Sequence, residues 1–150
     1  MPHLFFDTSA LVKRYYPESG TQTVDSLIES SETKIVISSL SIIETTSAFR
    51  RKHNQDDIPW DSLSELLATF FDEALSSFLI VPTDESLFGQ SFELVLEDDL
   101  RTLDSLQLSA ALDIAAATDE FRFVCADSEL CSVASNRGLE TINPTENGDR

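Results

Sequence analysis

Four acidic residues lie at positions that do not fit the apolar pattern around them. Asp7 directly follows the apolar run "LFF", and Asp127 follows the apolar run "FRFVCA". Glu44 and Asp104 lie in segments with helical spacing, where each shares a face with apolar residues. A carboxylate on such a face is unusual unless it has a partner. These four residues are therefore the candidates for chemistry.

Each of the four acids also has a purely structural explanation. Asp7 and Asp127 could each cap the helix that follows. Glu44 could lie at the edge of the apolar stripe and reach solvent, and Asp104 could be a first-turn acid favoured by the helix dipole. The residue pattern alone leaves both kinds of explanation open.

A shared site would explain all four acids at once. Four carboxylates brought together repel each other and take up protons unless a cation is bound between them. Oxygen ligands suit Mg²⁺ or Mn²⁺ better than zinc, and water held by such a cation can attack a phosphodiester. The acids therefore predict a metal-dependent hydrolase whose site contains Asp7, Glu44, Asp104 and Asp127.

The remaining reactive side chains support no other chemistry. Cys125 and Cys131 fit no zinc-binding spacing, and Cys125 lies in an apolar run typical of a buried strand. His3 and His53 are the only histidines, and neither lies beside a candidate nucleophile. The predicted hydrolysis needs neither a histidine base nor a Ser-His-Asp triad.

Strands that alternate with helices are expected to bring the four acids together. Apolar, strand-like runs occur at about 4–6, 34–38, 78–81, 121–126 and 139–143. The segments between them have helical spacing, among them 39–53 and a long helix expected to begin at Asp61. This alternation predicts an α/β fold, a three-layer α/β/α domain with a mainly parallel central sheet. Sites in such sheets lie beyond the carboxyl ends of the strands. Residues 1–144 are expected to form this single domain, and 145–150 a polar C-terminal tail.

The charge balance is strongly acidic. The chain has 27 Asp and Glu against 10 Lys and Arg, a formal net charge of -17, and the acids are spread along the sequence. This composition predicts a halophilic protein, because concentrated salt screens repulsion between surface acids; an ordinary acidic protein from a low-salt organism is the alternative. The acidity argues against broad, non-specific nucleic-acid binding. It leaves room for a nucleic-acid substrate held through metal ions.

The location of the protein is also predicted from hydropathy. No apolar run is long enough to span a membrane. The first residues lack the basic region, apolar stretch and cleavage site of a secretory signal. We therefore expect a cytoplasmic protein without a membrane partner.

Four segments resemble, in order and context, those of the PIN-domain ribonucleases. They are "FFDTSALVKRYYPESG", "SSLSIIETTSAF", "LRTLDSLQLSAAL" and "FVCADSELCSVASNRGLETINP". The resemblance runs from about residue 4 to 144, and it is greatest to the VapC toxins of toxin–antitoxin pairs. It implies a PIN fold, an acidic pocket for Mg²⁺ or Mn²⁺, an RNA substrate, a cognate antitoxin protein and, by analogy, a homodimer.

The resemblance also implies roles for individual residues. Asp7, Asp104 and Asp127 match acids that would hold the metal, and Glu44 matches one that is a ligand or orients water. The hydroxyl residue after the first acid is represented by Thr8 and Ser9. Of these two, Ser9 is expected to be the helper near the metal.

Two basic residues follow the first acid, and they are candidates for RNA contact. Lys13 and Arg14 could meet the RNA backbone, or they could simply form a solvated helix face. The neighbouring tyrosines, Tyr15 and Tyr16, are expected to be packing residues rather than platforms for base stacking.

Other functions agree less well with the sequence. A phosphatase of the haloacid-dehalogenase type would need a second Asp where Ser9 stands, and a phospho-receiver domain would need an acidic pair and a Lys that the chain lacks. A solitary PIN nuclease in RNA processing remains an alternative, as does a PIN-fold metal-binding module without turnover.

Overall fold

A five-stranded sheet forms the centre of the protein. The computed structural model describes residues 1–146. The strands are β1 (His3–Phe6), β2 (Lys34–Ser38), β3 (Leu79–Val81), β4 (Phe121–Val124) and β5 (Thr141–Ile142). They are ordered β3-β2-β1-β4-β5, and all four neighbouring pairs are parallel. The predicted α/β/α fold is confirmed, with a sheet that is parallel throughout.

Seven α-helices flank this sheet in the described part of the chain. They are α1 (Thr8–Leu11), α2 (Thr21–Glu29), α3 (Ser39–Asn54), α4 (Trp60–Ser77), α5 (Phe88–Asp98), α6 (Thr102–Ala116) and α7 (Ser128–Asn136). Short 3-10 turns at Val12–Arg14 and Glu85–Leu87 continue α1 and precede α5. No helix within residues 1–146 is both long enough and apolar enough to cross a membrane.

The core consists of two layers, one on each face of the sheet. Leu4 and Phe6 of β1 face the layer that contains Phe49 and Phe70, whereas Phe5 faces the layer that contains Leu108. All three β1 residues are fully buried. Because successive side chains of a strand point to opposite faces, a central parallel strand covered by helices on both sides is apolar throughout. This explains why all three residues of the run "LFF" are apolar.

The sheet places the ends of β1 and β4 side by side. Phe6 is in register with Val124, and the Asp7 N–H donates to the carbonyl of Val124 over 2.9 Å. β2 is the other neighbour of β1, and α3 begins directly after its last residue, Ser38, whose hydroxyl caps the helix by accepting from the N–H of Leu40. Three chain segments that carry predicted acids therefore meet at one edge of the sheet.

The structure differs from the sequence-based expectation in several local details. The helix expected from Asp61 begins at Trp60 after Pro59, and Asp61 lies in its first turn. The buried face of α3 consists of Ser41, Thr45 and Phe49 rather than of the face that carries Glu44, because this side of the helix packs on the sheet, on α1 and on α4. Of the predicted tail 145–150, Thr145 and Glu146 lie in a turn after β5, and 147–150 lie outside the described residues.

Candidate active site

Asp7 lies at the bottom of the candidate site and is only 5% exposed. Its Oδ2 accepts hydrogen bonds from the Ser9 N–H over 3.1 Å and from the Ser9 hydroxyl over 2.6 Å. The Ser9 hydroxyl oxygen in turn accepts from the Ala126 N–H over 3.0 Å. Ser9 therefore fixes the orientation of Asp7 and links the ends of β1 and β4. Asp7 also caps α1, as the structural explanation expected.

Burial makes Asp7 unusually reluctant to ionise. Desolvation raises its pKa from 3.8 to about 6, even though the hydrogen bonds from Ser9 favour the charged form. The charges of Asp104 and Glu44 raise the pKa further, although by less than burial does. The two helix acids are therefore close enough for their fields to act on Asp7.

Glu44 is half-buried, and polar groups of two other elements hold it. Its Oε1 accepts from the Thr8 hydroxyl over 2.8 Å and from the side-chain amide of Gln107 over 2.7 Å. Thr8 lies in α1 and Gln107 in α6, so three helices meet at this carboxylate. Glu44 is thus neither an unpartnered core acid nor a solvated surface residue.

Gln107 is almost completely buried in this polar network, with 1% exposure. Its Nε2 also lies 2.8 Å from the Ser41 hydroxyl oxygen and 3.1 Å from that of Thr8. Its Oε1 is buried and has no hydrogen-bond partner within residues 1–146. A reversed amide would turn Oε1 toward the carboxylate of Glu44 and bring two acceptors into repulsion. The negative charge therefore fixes the orientation of the amide.

Asp104 lies half-buried in the first turn of α6, the position that its structural explanation expected. Burial raises its pKa, the charges of Asp127 and Glu44 add to this effect, and the nearby guanidinium of Arg101 opposes it. Asp104 accepts no hydrogen bond from any described residue, so both of its oxygens remain available.

Asp127 is exposed and caps α7. Its Oδ1 accepts from the N–H groups of Glu129, over 3.0 Å, and Leu130, over 3.2 Å. Its Oδ2 accepts no hydrogen bond within the described chain. Asp127 is close enough to Asp104 to raise the pKa of that residue.

The four predicted acids therefore surround one end of the sheet, but they do not form a complete metal shell. Among residues 1–146, no three His, Cys, Asp or Glu side chains converge closely enough to hold a metal ion by themselves. Several carboxylate oxygens at this edge nevertheless accept no hydrogen bond: Oδ1 of Asp7, Oε2 of Glu44, both oxygens of Asp104 and Oδ2 of Asp127. The arrangement is an open acidic cluster with unused acceptors.

Lys13 and Arg14 are held by carboxylates of the same chain. Lys13 is buried, with its Nζ 3.0 Å from Oε1 of Glu18. Arg14 donates two hydrogen bonds to Glu73, of 3.1 and 2.9 Å. Two further carboxylates bind the same guanidinium, those of Asp25 and Glu29. Neither residue belongs to a solvated helix face, and both charges are neutralised within the protein.

Sequence reasoning did not single out Thr8 and Gln107 as partners of Glu44. Thr8 was named only as one of two hydroxyl residues, of which Ser9 was expected to be the helper. Gln107 carried one usable signal, because it lies three residues after Asp104 and hence on the same face of α6. Its hydrogen bond to Glu44, however, joins residues that are 63 positions apart, and the sequence pattern gives no sign of that contact.

Several solved structures of other proteins have a similar fold. VapC20 from Mycobacterium tuberculosis, a toxin that cleaves the sarcin–ricin loop, is 14% identical with a TM-score of 0.69 over 94% of this chain and 99% of its own. PAE2754 from Pyrobaculum aerophilum is 21% identical, with a TM-score of 0.68 over 97% and 90%. A chain of VapBC2 from Rickettsia felis, bound to DNA from its promoter, is 17% identical, with a TM-score of 0.63 over 94% and 98%.

Sequence comparison leads to the same fold family. No curated protein matches the chain. The PIN domain family matches this chain over residues 4–136. This range includes all four acids and every strand except β5. The resemblance found in the four sequence segments is confirmed, and the chain belongs to the PIN-domain family.

Proposed function

We propose that this protein is a ribonuclease that hydrolyses RNA phosphodiester bonds with the help of Mg²⁺ or Mn²⁺. The observation that carries the proposal is the placement of Asp7, Glu44, Asp104 and Asp127, from four separate segments, at one edge of a PIN-fold sheet, where their charges raise the pKa values of Asp7 and Asp104. Acids from distant parts of a chain are not gathered for helix capping, since a cap needs only its own helix.

The donor set fits a hard divalent cation. It consists of carboxylate oxygens, and burial together with mutual repulsion raises the pKa values of Asp7 and Asp104. A bound cation would remove this repulsion and favour the charged forms. Mg²⁺ keeps several waters and is commonly bound through one or two carboxylates plus substrate phosphates. An open cluster without a complete protein shell is therefore suited to Mg²⁺ or Mn²⁺.

The protein residues have distinct parts in this proposal. Asp7, Asp104 and Asp127 would hold the cation, with Glu44 as a further ligand or as the group that orients water. When bound, such a cation neutralises charge on the phosphate and makes water more acidic. Ser9 keeps Asp7 in place through two hydrogen bonds.

Glu44 is kept in place separately. Thr8 and Gln107 donate hydrogen bonds to its Oε1. These bonds fix the orientation of the whole carboxylate, and with it the direction of Oε2. A carboxylate whose first oxygen is fixed loses little freedom when its second oxygen binds water or a cation. Thr8 and Gln107 are accordingly positioning residues in this proposal, acting through Glu44.

We propose further that the ribonuclease is the toxin of a type II toxin–antitoxin pair, with an antitoxin protein as its partner and a homodimer as its assembly. Solved relatives include a toxin–antitoxin complex from Klebsiella pneumoniae and the VapBC2 complex. Helix α5 exposes Phe88, Phe92 and Leu96 to solvent, and a contiguous apolar surface of this kind marks protein contacts. Co-expression with the neighbouring gene, followed by co-purification, tests the partner; light scattering of the protein alone tests the homodimer.

A PIN module without turnover is the second candidate, because Asp7 and Asp127 both serve as helix caps. A cleavage assay separates the two functions. Chelator-treated protein should regain RNA cleavage when Mn²⁺ or Mg²⁺ is added, and zinc should not be specifically required. Protein that never cleaves RNA would support the binding module, and cleavage undiminished in excess EDTA would contradict the metal-dependent mechanism.

Matched substitutions in one helix connect cleavage to the site. Asp104 and Asp113 both belong to α6, but Asp113 is exposed and lies more than two turns away. Asp104→Asn should abolish most cleavage, whereas Asp113→Asn should retain it. Equal cleavage by the two variants would show that Asp104 has no part in the reaction.

A further inference from the structure

The substrate of the proposed function is a polyanion, and the protein carries a net charge of -17. Binding RNA therefore needs Lys or Arg side chains whose charges are not already neutralised by ion pairs with carboxylates of the protein. Of the nine Lys and Arg within residues 1–146, four form ion pairs: Lys13, Arg14, Arg122 and Arg137. The other five form none in this part of the chain: Lys34, Arg50, Arg51, Lys52 and Arg101.

Arg51 lies close to the candidate site along α3. It follows Glu44 by seven residues, which is about two helical turns and roughly 10 Å on the same face. Its Nη1 donates to the Ser47 hydroxyl over 2.7 Å, and Ser47 lies on the turn nearer to Glu44. The guanidinium is therefore directed back along the helix toward the acids, and it remains exposed.

Arg101 lies on the other side of the acids. It immediately precedes α6, three residues before Asp104, and it is exposed. Its charge lowers the pKa of Asp104, although by less than burial and the neighbouring acids raise it. No carboxylate lies within ion-pair distance of Arg101 in residues 1–146, so its donors remain available.

The other unpaired cations are placed differently. Arg50 lies over the ring of Trp60, 5.0 Å from its centre, and Lys52 lies 4.0 Å from the centre of Tyr16. Both are thus engaged with aromatic rings. Lys34 is the first residue of β2 and lies at the amino end of the sheet, opposite the acids. Arg51 and Arg101 are the two that flank the site.

We propose that Arg51 and Arg101 bind phosphates of a single RNA strand on the two sides of the carboxylate cluster, so that the strand runs from the start of α6 across the acids and along α3. This inference rests on the proposed function, because it deepens the RNA-cleaving role of the same site. It replaces Lys13 and Arg14, which are held by carboxylates, as the RNA contacts. Phosphate contacts of this kind position the strand without reading its sequence.

Salt-dependent binding tests the inference separately from cleavage. A fluorescein-labelled single-stranded RNA is titrated in EDTA, over a range of KCl concentrations, with the parent and with Arg51→Gln, Arg101→Gln and the double variant. Lys34→Gln is the matched control, an unpaired exposed cation at the far end of the sheet. The slope of log K against log salt should become shallower by about 0.7 for each single variant and by about 1.4 for the double variant. The control should keep the parent slope.

Cleavage in Mn²⁺ provides the second measurement. Each arginine variant should raise KM for a long RNA and leave kcat nearly unchanged, since a phosphate contact away from the reacting bond binds ground state and transition state alike. A double variant with the slope and KM of Lys34→Gln would overturn the inference while the nuclease stands. A parent that binds RNA with the expected slopes but never cleaves it would overturn the nuclease and leave the inference intact. A parent that binds no RNA would overturn the inference.

Discussion

The substitution Asp7→Asn separates the capping role of this residue from its proposed metal-binding role. Asn is about as good an N-cap as Asp, because its side-chain oxygen can still accept from the Ser9 N–H. It carries no charge, however, and is a much poorer ligand for Mg²⁺. We expect the variant to fold normally, to lose most RNA cleavage and to be more stable than the parent when no metal is present.

The size of the stabilisation follows from the pKa of Asp7. Burial, with smaller contributions from the neighbouring acids, raises this pKa from 3.8 to about 6. A shift of about two pKa units corresponds to roughly 3 kcal/mol of unfavourable free energy in the ionised state. The Asn amide is also buried and retains part of the desolvation cost, so about 1 to 3 kcal/mol is expected. For a chain of this size that corresponds to roughly 2 to 12 °C in Tm.

The sign of the pH dependence is fixed by the same shift. Asp7 has a higher pKa in the folded protein than in the unfolded chain. Its favourable contribution to the free energy of unfolding is therefore present below about pH 4 and is lost as the pH rises through about 6. The advantage of Asp7→Asn over the parent should therefore be largest near pH 8 and should shrink toward pH 5. Urea and thermal unfolding in EDTA across this range measure it.

Asp127→Asn is the control for this experiment, because Asp127 is an exposed cap. Its stability should change by no more than about 0.5 kcal/mol at any pH, although it too should lose cleavage. An Asp7→Asn variant that is less stable than the parent at pH 8, or whose advantage does not depend on pH, would refute the reasoning from burial and repulsion. A variant that cleaves RNA like the parent would show that Asp7 is only a cap.

Three further predictions follow from the structure. Gln107→Leu removes a donor from the half-buried Glu44, so it should cost about 1 to 3 kcal/mol and lower cleavage. Gln90→Leu also loses one hydrogen bond, from Ser109, but Gln90 bonds to none of the four acids, and this variant should leave cleavage unchanged; equal effects on cleavage would contradict the role of Gln107. Arg14→Gln should also cost about 1 to 3 kcal/mol, because it leaves Glu73 and its neighbours unpaired, yet it should not weaken RNA binding; lost RNA affinity with intact stability would restore Arg14 as an RNA contact. The melting temperature of the parent should rise between low salt and molar KCl, as the screening length falls from roughly 10 Å at 0.1 M to about 3 Å at 1 M, and a flat or falling temperature would contradict the halophilic interpretation.

The fold was predictable because its signals are local. The β-branched segment 34–38 was expected as a strand, and β2 has the same bounds. The helix expected over 39–53 is α3, which ends one residue later. The positions of Asp7 and Asp127 were predictable for the related reason that the carboxyl ends of parallel strands meet at one edge of the sheet.

Partners across the chain were not predictable, because they depend on how distant segments pack. Nothing near Arg14 in sequence indicates that Glu73, 59 residues away on α4, will accept hydrogen bonds from both its Nε and its Nη2. Hydropathy likewise does not reveal which side of α3 is buried: Ile43, the apolar neighbour of Glu44, is 70% exposed. A periodic pattern defines the width of an apolar face but leaves its centre uncertain by about one residue.

The structure also changes the question that the sequence raised about these acids. From the sequence, capping and metal binding were alternative explanations for Asp7 and Asp127. A carboxylate has two oxygens, however, and a helix cap uses only one, so both roles are compatible. Asp7 caps through Oδ2 and Asp127 through Oδ1, and the second oxygen of each accepts no hydrogen bond within the described chain. Glu44 follows the same pattern, with only Oε1 engaged. In each case the hydrogen bonds hold the carboxylate in a fixed orientation and leave one oxygen for a cation or water.

Because one oxygen caps the helix and the other accepts no hydrogen bond, Asp-to-Asn separates capping from metal binding at both strand ends. The oxygen of Asn can take over the capping bond, and its NH₂ group then replaces the unused oxygen. The second position thereby changes from an acceptor into a donor, and the negative charge is lost, while the local backbone keeps its hydrogen bonds. In Asp7→Asn the cap is retained, so a change in stability reports the buried charge, whereas lost cleavage reports the missing charge and the missing second oxygen.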